Sequence, residues 1–163
     1  QRLRSLLIAD IAPVAYEPRH QCILAGLNSI DLAVLKSRKQ ALGLLMEYEP
    51  EASVCQFLLK SLYKNEVGQF AFRYNLTAIN ENYQAISAAP ETNVLTGKSA
   101  YTGPTLVLKG SNSPYILPQH KPAFDALLPN SQLKIMADCG HWLHAEKPEL
   151  FCRLVTRFLD SLV

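Results

Sequence analysis

The residue types best suited to chemistry stand near the two ends of the chain. Toward the carboxyl end, Cys139-Gly140-His141-Trp142-Leu143-His144-Ala145-Glu146-Lys147-Pro148 carries an imidazole on what reads as a loop. Toward the other end, Asp10-Ile11-Ala12-Pro13 carries a carboxylate directly after an apolar run. A loop-borne histidine suits general base work, and Gly140 beside it lets the backbone turn closely. A capping or packing histidine is the plainer alternative. His141, His144 and Glu146 could also be read as metal ligands, but their spacing needs a helix, and Gly140 argues against one, so no metal is expected. Cys139 would abut its own base and makes a poor nucleophile. Asp138 reads as a turn former.

The elements that must position these groups can be read from periodicity. Leu133-Lys134-Ile135-Met136 is a short apolar run that predicts a buried strand just before the histidine loop. Pro148 opens a helix with Leu150, Phe151, Leu154, Val155, Phe158, Leu159 and Leu162 at helical spacing. His141 therefore sits at the carboxyl end of a strand, where open α/β sheets place their sites. Leu3, Leu6, Leu7 and Ile8 predict a strand covered on both faces, ended by Asp10. Pro104-Thr105-Leu106-Val107-Leu108 predicts another, with Gly110-Ser111-Asn112-Ser113-Pro114 turning off its end and a helix following over 119–128. Strand, helix, strand, helix implies parallel pairing.

The middle reads differently. A helix is expected over 17–30, and a capping box of Ser37 with Gln40 starts a second. Pro50 opens a third, carrying Val54, Phe57, Leu58 and Leu62, while 69–74 alternates like a strand. Asn75 caps a further helix through Leu76, Ile79, Tyr83 and Ile86, and 88–103 has the composition of a hinge. The organisation expected is an α/β core from 1–13 and 101–163, with a helical lid and hinge over 14–100.

The totals exclude several classes. A length of 163 residues, 48% hydrophobic and 18% charged, is that of a globular domain with a sizeable core. The net charge of +2 is interspersed, so no nucleic-acid partner is indicated. No run reaches membrane-span length and no signal-peptide pattern opens the chain, so no membrane partner is expected. Cys22, Cys55, Cys139 and Cys152 lack metal spacing and suggest reduced thiols in a cytoplasmic protein.

Gly140-His141-Trp142 with His144-Ala145-Glu146-Lys147-Pro148 resembles the catalytic-histidine loop of α/β-hydrolases, and Asp10-Ile11-Ala12-Pro13 narrows the likeness to the YbfF-like esterase branch. The resemblance covers nearly the whole chain. It implies a serine-dependent carboxylic ester or thioester hydrolase without cofactor, in which His141 is the base. In that family the nucleophile stands in a Gly-x-Ser-x-Gly elbow, and no serine of this chain has glycine at both flanking positions. The resemblance thus implies the carboxyl-terminal part of the sheet, with the nucleophile on a missing amino-terminal half.

For the acid, the commoner hydrolase position falls on Ser111-Asn112-Ser113-Pro114, which holds no carboxylate, so Asp10 is the better candidate. Arg19 is a candidate reader of an anionic substrate group, such as the leaving group of a coenzyme A thioester, or is simply a solvated arginine. Tyr115, Tyr16 and Trp142 are candidates to line the acyl pocket, or to pack. Rival readings are a dehalogenase, an epoxide or C–C hydrolase, and an inactive fragment or binding module.

Overall fold

The computed structural model describes residues 3–90 and 100–162. In chain order its elements are β1 (Leu6–Ala9), α1 (Gln21–Ser29), α2 (Arg38–Met46), α3 (Ala52–Leu58), β2 (Leu62–Lys64), β3 (Phe70–Phe72), α4 (Leu76–Glu81), α5 (Tyr83–Ser87), β4 (Thr105–Gly110), α6 (Lys121–Leu127), β5 (Ser131–Met136), α7 (Leu143–Glu146) and α8 (Pro148–Asp160). The chain divides into two compact units, Gln1–Ala15 with Ala89–Val163, and Tyr16–Ala88. Most of the expected hinge, 91–99, lies outside the described residues.

The first unit is built on a parallel sheet of order β1-β4-β5. β4 is its centre, and its residues are buried along nearly their whole length, as a doubly covered parallel strand requires. Its registers, Ala9 opposite Leu108 and Gly110 opposite Met136, bring all three carboxyl ends to one rim. One face carries Leu106, Leu108 and Met136. These pack with Leu143 and with Leu150, Phe151, Leu154, Val155 and Phe158 of α8, whose apolar stripe recurs every three to four residues.

Two strands differ from expectation. β1 begins at Leu6 rather than Leu3, and it is covered on one face only, with Leu7 37% exposed. β5 was expected to be buried, yet Leu133 and Ile135 are 52% and 61% exposed. Both strands pair on one side only among the described residues, so their apolar runs lack the flanking strand and second layer that cover β4.

The second unit packs short helices around Leu27, Ile30, Ala41, Leu45, Cys55, Leu59 and Leu62. Ser37 caps α2 by accepting the Gln40 amide hydrogen at 3.1 Å, while the Gln40 side chain reaches back to the Lys36 amide rather than to that of Ser37. Asn75 caps α4 in the same way through the Ala78 amide. Leu62 was expected on the helix from Pro50. It lies instead in β2, which pairs antiparallel with β3, after a 3-10 turn over Leu59–Ser61 ends that helix. The expected continuous helix through Ile86 is broken at Asn82 into α4 and α5, where an asparagine side chain bonding back to the Ala78 carbonyl competes with the backbone. No helix among the described residues is long and apolar enough to cross a membrane.

Leu45 is fully buried and Val34 is 63% exposed in the same unit. Leu45→Ala is expected to cost about 2–5 kcal/mol, and Val34→Ala about 0.5 kcal/mol or less. Urea titration of the two variants checks the contrast.

Candidate active site

Asp10 follows β1 directly, and its amide donates to the Leu108 carbonyl at 2.8 Å, continuing the parallel ladder by one residue. There the backbone turns with φ of 52°, a left-handed conformation that aspartate tolerates at a cost of about 1–2 kcal/mol. The side chain is 0% exposed. A carboxylate so buried needs partners, and three donors supply them. The Gly110 amide donates to Oδ1 at 3.0 Å, the Ser113 hydroxyl donates to Oδ2, and His141 Nδ1 lies 2.9 Å from Oδ2.

An ionised carboxylate only accepts, so the hydrogen on this nitrogen belongs to the imidazole, and Nε2 is left as the basic atom. Among the described residues Nε2 has no hydrogen-bond partner, and the His141 side chain is 39% exposed. Tyr115 stacks on the ring with centroids 4.0 Å apart and planes 21° from parallel. The ring is thus fixed on one edge and one face, with its second nitrogen open. Such an arrangement can take a proton from a hydroxyl and return it to a leaving group.

The loops that carry these groups are tied to each other. The Asn112 amide donates to the Cys139 carbonyl at 3.0 Å and the Ser111 amide to the Met136 carbonyl at 2.9 Å. Lys109 Nζ donates to the Gly110 and Ser113 carbonyls, bracing the turn that holds Asp10. Gly110 is required here, because a Cβ on it would lie 2.0 Å from the Gly140 carbonyl oxygen. Gly140 was expected for a tight turn, but its φ is not in the left-handed region; the tightest contacts a side chain there would meet are the Glu146 carboxylate oxygens, from 3.0 Å.

Of the residues singled out in the sequence, Asp10, His141 and Tyr115 come together. Trp142 is half-buried beside His141, its carbonyl accepting the Ala145 and Glu146 amides. Tyr16 and Arg19 belong to the second unit, where their amides donate to the Ser87 carbonyl and the Tyr83 hydroxyl. Asp138 is an exposed turn residue with φ of 47°, 4.0 Å from Lys147. The described residues contain no group of three or more His, Cys, Asp or Glu placed to hold a metal ion. Glu146 spends both oxygens on loop amides, and the His144 ring packs edge-on to Phe151. Burial, then the nearby Glu146 charge, pushes the Cys139 thiol up and away from the reactive thiolate.

Sequence reasoning missed Ser113, Gly110 and Lys109 as supports of Asp10. The one available signal was position, since the turn lacking a carboxylate is the turn that binds one.

The family profile described as "alpha/beta hydrolase fold" matches residues 31–148. The chain is 32% identical over 161 residues to Esterase YbfF of Escherichia coli (strain K12), covering 98% of this chain and 59% of that protein. It is 33% identical over 161 residues to the sn-1-specific diacylglycerol lipase ABHD11 of Mus musculus, covering 94% of this chain and 50% of the relative. A solved marine microorganism esterase superposes with a TM-score of 0.86 at 30% identity, covering 95% of this chain and 60% of that one. The chain thus spans between half and three-fifths of the length of these proteins.

Gly110→Ala is expected to destabilise the fold by about 1–3 kcal/mol, read by urea titration. Iodoacetamide near neutral pH is expected to modify the exposed Cys22 and Cys152 and to spare the buried Cys55 and Cys139 until denaturant is added, as mass spectrometry would show. Because burial raises the Cys55 and Cys139 thiols in the folded state, unfolding releases protons above the ordinary thiol range. Their contribution to stability is fully present below that range and is lost as pH rises from it through the raised folded values.

Proposed function

The chain belongs to the α/β-hydrolase family, and on that premise we propose that it supplies the acid, the base and the lid of a serine-dependent carboxylic ester hydrolase. The nucleophilic serine would lie on a segment outside this chain. His141 Nε2 accepts the serine proton as the hydroxyl attacks the ester carbonyl, then delivers it to the departing alcohol or thiol. Asp10 holds the imidazole in the tautomer that leaves Nε2 basic and stabilises the imidazolium that forms. The observation that carries this reading is the 2.9 Å bond from His141 Nδ1 to a carboxylate with no exposed surface. The missing segment is supported by the absence of an elbow serine and by the unpaired edge of β1 among the described residues.

The substrate is read from the helical unit, which would act as the lid. Taken by itself, that unit contains an apolar groove of about 500 Å³ lined by Ile23, Leu24, Leu27, Phe57, Leu76 and Ile79 among others. Arg19 is exposed and would meet an anionic leaving group in the thioester form of the reaction. Tyr115 would border the acyl group while supporting the base. Four unpaired thiols support a reducing, cytoplasmic setting for the reading.

Hydrolysis of short p-nitrophenyl esters by the full-length protein tests the proposal. Asp10→Asn is expected to lower kcat by about 10⁴-fold, and Ser113→Ala by roughly 10- to 100-fold through one lost charge-assisted hydrogen bond. Loss of rate in Ser113→Ala alone would overturn the acid assignment. Absence of any ester hydrolysis, from the full-length protein or from this part mixed with its complement, would remove the enzyme reading.

A further inference from the structure

We propose that Glu146 is a positioning residue for His141, a carboxylate strap that fixes the peptide units on both sides of the base. The inference rests on the reading of His141 as the base, and it adds a residue that the resemblance does not assign. The Gly140 amide donates to Glu146 Oε2 at 2.7 Å, and the Trp142 amide donates to Oε1 at 3.0 Å. The two bonds bracket His141 in the chain, so the backbone on either side of its Cα is held by one rigid planar group.

The strap is itself anchored. Glu146 ends α7, and its own amide donates to the Trp142 carbonyl at 2.8 Å, closing a ring around the loop. The Lys147 amide donates to the Leu143 carbonyl at 3.1 Å, and Leu143 is 1% exposed in the core beneath α8. Position therefore passes from the packed core through α7 to the carboxylate, and from the carboxylate to the loop. A Cβ at Gly140 would lie 3.0 and 3.3 Å from the two Glu146 oxygens, so a side chain there would shift the carboxylate by a few tenths of an ångström. Glu146 is exposed and makes no ion pair among the described residues; besides the two loop amides its one further partner there is the buried Cys139 thiol of the same loop, so all its bonds go to the segment that carries His141.

Asp10 and Tyr115 orient the ring, but neither restrains the backbone that carries it. Without the strap, the two amides turn to water and the imidazole drifts from its 2.9 Å partner. A positional error of about an ångström at a catalytic group costs up to about 10²-fold in rate and leaves substrate binding largely intact.

The test uses the full-length protein with p-nitrophenyl esters and amide hydrogen exchange. Glu146→Ala is expected to lower kcat by about 10- to 100-fold with KM within about twofold. It should also speed exchange at Gly140 and Trp142 at least about tenfold, while the amides of β4 keep their protection. Glu146→Gln, whose amide offers one acceptor oxygen, should fall between wild type and alanine. Wild-type kcat in Glu146→Ala, alongside an inactive His141→Ala, overturns the strap and leaves the base reading in place. Wild-type kcat in His141→Ala overturns the base reading beneath it. Should Glu146→Ala lose protection in β4, Glu146→Gln decides, and unchanged kcat in that variant contradicts the proposal.

Discussion

A carboxylate removed from water must be surrounded by donors, and Asp10 is where this chain meets that demand. Its burial is costly unless the Gly110 amide, the Ser113 hydroxyl and the His141 imidazole all face it. These donors come from the last residue of β4, the turn after it and the loop after β5, some hundred residues and more further along the chain. Folding the sheet in register is what brings them to one point, and a slip of β4 by one residue would turn its buried side chains to the other face and misplace the turn.

The surrounding contacts can be understood as protecting that meeting. β4 is buried on both faces, ends in the donor Gly110 and carries the turn that holds Ser113. Lys109 bonds the carbonyls of its own turn, Asn112 and Ser111 bond the loop after β5, and Gly110 allows that loop to pass at backbone distance. The α8 stripe covers the sheet face beneath and packs with Leu143, from which the histidine loop is suspended. Rigid elements hold short loops, and the short loops hold Asp10 and His141 together.

How much of this could be read in advance varies with the physics behind each element. The α8 helix was plain, because an apolar repeat at 3.6 residues has few other uses. The caps at Ser37 and Asn75 were legible because their hydrogen bonds are local. Asp10 and His141 were singled out from a family likeness and their places after two strands, and the geometry brings them into contact. Exposure was misjudged in β1 and β5, since an apolar run does not say how many neighbours its strand has. β2 was missed because Leu62 reads as well on a helix, and its pairing with Phe72 is a tertiary choice. Ser113 was signalled only by its position on a turn without a carboxylate, and Glu146 not at all as a support, because a hydroxyl or carboxylate announces its partner only once the fold supplies one.

The central claim is that Asp10 holds His141 with its hydrogen on Nδ1, leaving Nε2 as the basic atom. Nitrogen NMR of histidine-labelled protein, near neutral pH, reads the tautomer directly. The account predicts a protonated Nδ1 and an unprotonated Nε2 at His141, with that preference lost in Asp10→Asn. A His141 ring carrying its hydrogen on Nε2, or one that exchanges freely between tautomers and is indifferent to Asp10→Asn, would contradict it.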